Sequence, residues 1–207
     1  MKILSIFALV AALISPSIGL AGDYSFHRQT TYAISAVRDD GQFKPHCSAV
    51  AIGPKRFLTA AHCILMDVNL MVSNNPGARQ IPVRLIKADP RVDLALLEAI
   101  TDVKVEHAEV GGSMPKIDDD VVVVGNPLGV PDFVTLGMVQ RIKGTNMILS
   151  APIIFGNSGG PAFVKVDDKW VVVGIASRIF AGPQAPVTHM GVFTNQKAIE
   201  EFLKDIK

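Results

Sequence analysis

The sequence predicts an all-β chain closed by one helix, on three observations. Short apolar runs rich in valine, isoleucine and alanine recur from about residue 32 to residue 194. Turn residues separate them, as in Asp39-Asp40-Gly41 and Gly53-Pro54. Apolar residues at helical spacing occur only at the end, where Ala198, Ile199, Phe202, Leu203 and Ile206 follow Asn195, a residue able to cap a helix. Many short strands with Gly/Pro turns indicate a β-barrel or sandwich architecture.

In order, strands are expected over residues 33–37, 46–52, 56–60, 69–72, 80–87 and 94–97, then 121–124, 133–142, 147–150, 162–166, 170–177 and 190–194. The polar, glycine-containing stretch 106–120 is the natural divide. It leaves about six strands in an N-terminal half (about 30–110) and about six in a C-terminal half (about 118–195), with the helix over about 195–206.

The 207 residues are 49% hydrophobic and 19% charged, with a formal net charge of +1. This is globular composition, and it carries no basic excess that would suggest nucleic acid or an anionic membrane as partner. Met1-Lys2, the apolar run 3–14, Pro16 and the small residues of Gly19-Leu20-Ala21 read as a cleaved secretory signal over residues 1–21. No later stretch is long and apolar enough to span a bilayer as a helix, so an exported protein free of the membrane after cleavage is expected, periplasmic or secreted. A propeptide after Ala21 remains compatible with this reading. In an oxidising compartment the two cysteines, Cys47 and Cys63, suggest one bridge. A zinc site built from His46-Cys47 and His62-Cys63 is the rival, disfavoured because adjacent strand residues point to opposite faces.

Three stretches carry candidate chemistry. Gly156-Asn157-Ser158-Gly159-Gly160-Pro161 presents a serine on a turn that glycines keep sharp and uncovered. A nucleophilic serine needs a base, and the base an orienting group. His62 ends the apolar run Leu58-Thr59-Ala60-Ala61, and Asp93 opens the run Leu94-Ala95-Leu96-Leu97. Taken singly, the histidine reads as structural and the aspartate as a strand-end cap.

Together, Thr59-Ala60-Ala61-His62-Cys63, Asp93-Leu94-Ala95-Leu96-Leu97 and Gly156-Asn157-Ser158-Gly159-Gly160-Pro161 resemble the three signature blocks of the chymotrypsin-like (trypsin-fold) serine peptidases, in that superfamily's order. Val124-Gly125-Asn126-Pro127-Leu128-Gly129 and Val134-Thr135-Leu136-Gly137-Met138-Val139 are similar to the bacterial HtrA-type peptidase domain, and the terminal helix to HtrA-type and glutamyl endopeptidases. The resemblance covers about residues 30–206 and implies two six-stranded antiparallel Greek-key β-barrels with a C-terminal helix. It also implies a metal- and cofactor-independent serine endopeptidase acting on polypeptides, expected as a monomer. Ser158 is then the nucleophile, His62 the base and Asp93 its orienting group. The N–H groups of Gly156 and Ser158 form the oxyanion hole. Cys47 and Cys63 form the bridge, Ser177 lies near Asp93, and Ser177-Arg178-Ile179 pairs with substrate as an added strand.

The departures matter equally. Asn157 stands where trypsin-type enzymes carry the aspartate that pairs with a newly cut N-terminus, so no trypsin-style zymogen switch is expected. The chain ends at Lys207, so the PDZ modules of HtrA proteins are expected to be missing. Ala176 replaces the histidine of glutamyl endopeptidases. The specificity pocket is expected to have Pro152 at its base and Ile179 and Gly191 as walls, without a carboxylate, which points to a small or medium apolar residue before the scissile bond. Two rivals remain. Gly156 to Gly160 also fits the G-x-S-x-G elbow of α/β-hydrolases, with Asp167 or Asp168 and His189 following, but that fold needs alternating helices. A catalytically inactive binding protein on the trypsin fold is the other.

Overall fold

A strand with one buried face needs alternating apolar residues, and a strand closed into a barrel has no exposed edge. The first half of the chain follows this logic. In the computed structural model, which describes residues 22–64, 69–74, 78–181 and 186–206, it forms β1 (Thr31–Val37), β2 (Phe43–Gly53), β3 (Arg56–Thr59), β4 (Leu70–Ser73), β5 (Ile81–Asp89) and β6 (Leu94–Ala99). They close antiparallel in the order β1-β2-β3-β6-β5-β4. The expected signal over residues 1–21 lies outside the described residues.

The second half begins with a two-residue strand, β7 (Glu109–Val110), and continues through β8 (Asp120–Gly125), β9 (Phe133–Lys143), β10 (Asn146–Leu149), β11 (Pro161–Val166), β12 (Lys169–Ala181) and β13 (Pro186–Asn195). The order β11-β8-β9-β10-β13-β12 closes through a β11–β12 pairing, and β7 lies parallel to β12 outside the barrel. Counted from its first barrel strand, β8, this order is the cyclic order of the first barrel. The architecture is the pair of six-stranded antiparallel barrels expected from the sequence.

Each barrel buries its own apolar lining, Ile34, Phe57, Val72 and Leu97 in the first and Val123, Met147, Leu149 and Phe193 in the second. A third cluster joins them: Val50, Leu58, Leu94 and Leu96 pack with Val122, Phe163, Val172 and Ile175. The terminal helix, α2 (Gln196–Leu203), adds Ile199 and Phe202 to this shared core. Asn195 Oδ1 accepts from the Ala198 N–H at 3.2 Å, capping its start. Lys87 Nζ donates to the Phe202 carbonyl at 2.6 Å, which ties its end to the first barrel.

One helix was not expected. A short helix, α1 (Ser25–Thr30), precedes β1. It is too short for helical periodicity to show, and tertiary contacts hold it instead. His27 is completely buried in a box formed by Tyr24, Phe26, Phe163 and Trp170, with ring centroids 4.6 Å (Trp170) to 5.9 Å (Phe26) away. Neither ring nitrogen has a hydrogen-bond partner. Burial, followed by the charge of Arg28, lowers the imidazole pKa to about 4.

Candidate functional site

The ends of two paired strands bring His62 and Asp93 together. β3 pairs antiparallel with β6, Thr59 opposite Ala95, so the residues after β3 and before β6 leave the barrel at the same end. His62 sits in the 3-10 turn Ala61–Cys63, and Asp93 immediately precedes β6. Asp93 has φ of +56°, a left-handed conformation that aspartate tolerates better than most residues. Thr194 of the second barrel holds this turn, its Oγ1 donating to the Val92 carbonyl at 2.7 Å.

The aspartate accepts four contacts. His62 Nδ1 lies 2.9 Å from Oδ2 and 3.0 Å from Oδ1, the His62 backbone N–H is 3.0 Å from Oδ1, and Ser177 Oγ donates to Oδ2 at 2.6 Å. Burial by itself would raise the Asp93 pKa, but the hydrogen bonds from His62 and Ser177 outweigh it and hold the carboxyl below its usual range. An ionised carboxylate at Nδ1 requires a proton there, which leaves Nε2 as the basic nitrogen of the neutral ring.

The serine loop is built from backbone geometry. Asn157 N–H donates to the Ile154 carbonyl at 3.1 Å, and its Oδ1 accepts from the Ile154 N–H at 3.0 Å. The side-chain amide thus closes the turn Ile154-Phe155-Gly156-Asn157 a second time. Gly156, third in that turn, has φ of +97°, as a type II turn demands. A Cβ there would meet the Asn126 carbonyl oxygen at 2.5 Å, so a side chain is excluded by space as well. The Phe155 carbonyl accepts from the Leu128 N–H at 2.8 Å. In a trans peptide the N–H points opposite to the C=O, so this bond turns the Gly156 N–H away from the Leu128 loop. Beyond Ser158, Gly159 N–H donates to the Ala176 carbonyl at 2.7 Å, and its own Cβ position is filled by Ser48 O and Thr59 Oγ1 at 2.1 Å.

His62 and Ser158 line one cleft of about 470 Å³ together with Gly156, Ser177 and Ile179. Ser158 Oγ and His62 make no direct hydrogen bond; such contacts often tighten only with substrate. Ile153 and Ile154 supply the apolar wall. Pro152 is exposed and is not among the lining residues. Gly191 lies behind that wall: a Cβ on it would meet Ile153 Cδ1 and Phe193 Cε2 at 2.6 Å, so the space its missing side chain leaves is already occupied. Cys47 and Cys63 are joined, with Cα atoms 5.9 Å apart, and the bridge ties β2 to the turn that carries His62. Both sulfurs are thereby engaged with each other rather than available as zinc thiolates. His189, the base of the α/β-hydrolase alternative, is an exposed residue of β13 and does not line the cleft.

Sequence reasoning missed Ser48 and Leu128. Ser48 is fully buried between the barrels. Its Oγ donates to the Gly156 carbonyl at 2.8 Å and accepts from the Asn126 N–H at 2.9 Å, and its N–H donates to the Ser158 carbonyl at 2.7 Å. The available signal was a hydroxyl inside the apolar run Cys47-Ser48-Ala49-Val50-Ala51, where a polar group must find partners. Leu128 acts through its backbone, which leaves no signal in residue type; its φ of +54° shows the conformation that makes the contact.

Comparisons with known proteins bear on the family and the fold. The family model described as a trypsin-like peptidase domain matches residues 47–175. The chain is 30% identical over 177 residues to protease Do-like 2, chloroplastic, of Arabidopsis thaliana, covering 79% of this chain and 28% of that protein. It is 36% identical over 133 residues to a probable periplasmic serine endoprotease, DegP-like, of Bartonella henselae, covering 60% of this chain and 26% of that protein. The chain therefore spans about a quarter of the length of these curated relatives. Among solved structures, the HtrA-type protease AlgW with a tripeptide superposes with a TM-score of 0.72 at 24% identity, over 88% of this chain and 62% of that one, a likeness of fold. Two barrels of identical strand order, the three sequence blocks and the matching family model together place this chain in the trypsin-like peptidase family.

Proposed function

We propose that the chain is an exported serine endopeptidase that hydrolyses polypeptides through an acyl-enzyme. The observation that carries the reading is the hydrogen-bonded unit Ser177–Asp93–His62 at the rim of the cleft that also holds Ser158. Ser158 Oγ attacks the scissile carbonyl while His62 Nε2 takes its proton and later delivers it to the leaving amine. Asp93 keeps the proton on Nδ1 and stabilises the imidazolium that forms. The N–H groups of Gly156 and Ser158 receive the negative oxygen, and the Leu128-to-Phe155 hydrogen bond orients the first of them before substrate arrives. Ser177-Arg178-Ile179 pairs with the substrate backbone as an added strand. The apolar wall of Ile153, Ile154 and Ile179 suits a small or medium apolar side chain immediately before the cleaved bond. Residues 1–21 act as the export signal, consistent with the periplasmic and chloroplastic names of the relatives.

Labelling with a fluorophosphonate probe tests the reading. The wild type is expected to label, and Ser158→Ala and His62→Ala to lose the label. Labelling retained in His62→Ala would remove His62 as the base. A wild type that never labels would leave a trypsin-fold binding protein as the function.

A further inference from the structure

The second barrel carries a cationic groove that continues the cleft. One row of paired residues crosses four neighbouring strands: Arg141 opposite Ile148, Ile148 opposite Val192, and Val192 opposite Arg178. Met147, Leu149 and Phe193, the alternate residues, fill the barrel interior. The row therefore lies on the outer face, with an arginine at each end. Lys143 joins it, and the three cations with Ile148, Ile179 and Phe180 line a groove of about 380 Å³ with no carboxylate among its described lining residues. Arg141, Lys143 and Arg178 are all exposed and are absent from the ion pairs formed among the described residues. The whole chain is nearly neutral, at a formal +1, so this local excess is not a consequence of a generally basic surface.

The groove is joined to the cleft. Arg178 and Ile179 line both, and Arg178 also shares a third pocket with His62 and Asp93. β12 runs from Ser177, hydrogen-bonded to Asp93, outward to Phe180 at the far side of the groove. A peptide paired along the edge of this strand that β13 leaves free passes Ser158 beside Arg178, whose outer face continues across β13 and β10 to Arg141 and Lys143. Asp93 shares a pocket with Arg178 but bonds to His62 and Ser177 and forms no ion pair with Arg178.

We propose that this groove is the subsite for the substrate residues preceding the scissile bond and that it selects a carboxylate there. This rests on the peptidase reading above. Side chains of an extended peptide alternate, so the second and fourth residues before the cleaved bond share one face. Those are the positions at which an acidic side chain meets Arg178, with Arg141 and Lys143 further out. Guanidinium groups bind carboxylates through paired hydrogen bonds, and the apolar floor accommodates the methylene stems of a glutamate. The preferred substrate is thus an extended segment with an apolar residue at the cleaved bond and an acidic one two or four residues before it.

The test uses quenched fluorescent peptides that share one apolar residue before the scissile bond and carry Glu, Gln or Lys at each of the three preceding positions. For the wild type, kcat/KM is expected to favour Glu over Lys by about fivefold at the second or fourth position, the upper end expected of an exposed ion pair. The preference is expected to collapse as ionic strength approaches about 1 M, where the screening length falls to ~3 Å. Arg178→Glu is expected to reverse it and Arg141→Glu to weaken it, whereas Lys104→Glu, on the exposed loop of the first half, leaves it unchanged. Cleavage with equal rates for Glu, Gln and Lys at every position overturns the inference and leaves the peptidase reading intact. If the wild type neither cleaves nor labels with the fluorophosphonate, the peptidase reading fails. Fluorescence anisotropy with the same peptides then decides the groove's charge preference separately, and equal affinities for Glu and Lys peptides overturn it.

Discussion

Asp93 accepts a backbone N–H, an imidazole N–H and a hydroxyl at once, and this is what makes a single aspartate define the state of His62. Asparagine at the same place keeps the size but presents one carbonyl and one amide group. The amide repels Nδ1–H, so the neutral ring takes the opposite tautomer, and in the proposed mechanism Nε2 then no longer accepts the Ser158 proton. Asp93→Asn is therefore expected to lower kcat by roughly 10⁴-fold with KM little changed, as the loss of the orienting carboxylate does in serine peptidases of the trypsin fold. Steady-state kinetics on any cleaved peptide checks it, and a loss below tenfold would remove Asp93 from the mechanism. Ser48 illustrates the opposite kind of residue. It is buried and does not line the cleft, but its hydroxyl and backbone hold Gly156, Ser158 and Asn126 in mutual register.

Among the elements, α1 is the one held least by its own sequence. Six residues cannot sustain a helix in isolation, so its place depends on His27 entering the box of Tyr24, Phe26, Phe163 and Trp170. Among the described residues, the charged groups acting on that imidazole are Arg28, which lowers its pKa further, and Asp23, which raises it. With a folded pKa of about 4 against 6.5 for the free side chain, the unfolded chain binds more protons between those values. Stability contributed by neutral His27 is therefore complete above about pH 6.5 and is lost as pH falls toward about 4. Urea unfolding of the wild type is expected to show a midpoint that drops over this interval, and His27→Phe is expected to flatten that drop. An equal decline in both proteins would place the acid sensitivity elsewhere. Arg28 extends the reach of α1, since its Nε donates to the Asp132 carbonyl at 3.3 Å, in the loop that follows Leu128.

For the whole molecule, the shared core decides how the two barrels behave. Leu94 and Leu96 of the first barrel, Phe163 and Ile175 of the second and Ile199 of α2 are all fully buried in one cluster. Two domains with such an interface unfold together unless the interface is small and polar. Leu96→Ala is expected to destabilise the protein by about 2–5 kcal/mol through the cavity it leaves. Calorimetry is expected to show one cooperative transition in both wild type and variant. Two separated transitions would show that the barrels fold independently.

The sequence by itself determined the strand count of each barrel, the capping of α2 by Asn195 and the order of the three chemical blocks, because period, turn residues and capping are written within a few residues of one another. It did not reveal α1 or β7: both are too short to carry a period, and packing alone holds them. Nor did it expose Ser48 as the anchor of Gly156, separated by 108 residues. The Leu128 N–H that orients the Phe155 peptide and the row from Arg141 to Arg178 were equally hidden. Those depend on which strand lies beside which and in what register. Register is set by closure of the barrels and by the shared core, so only the tertiary structure decided that three cations spread along the chain share one groove beside Ser158.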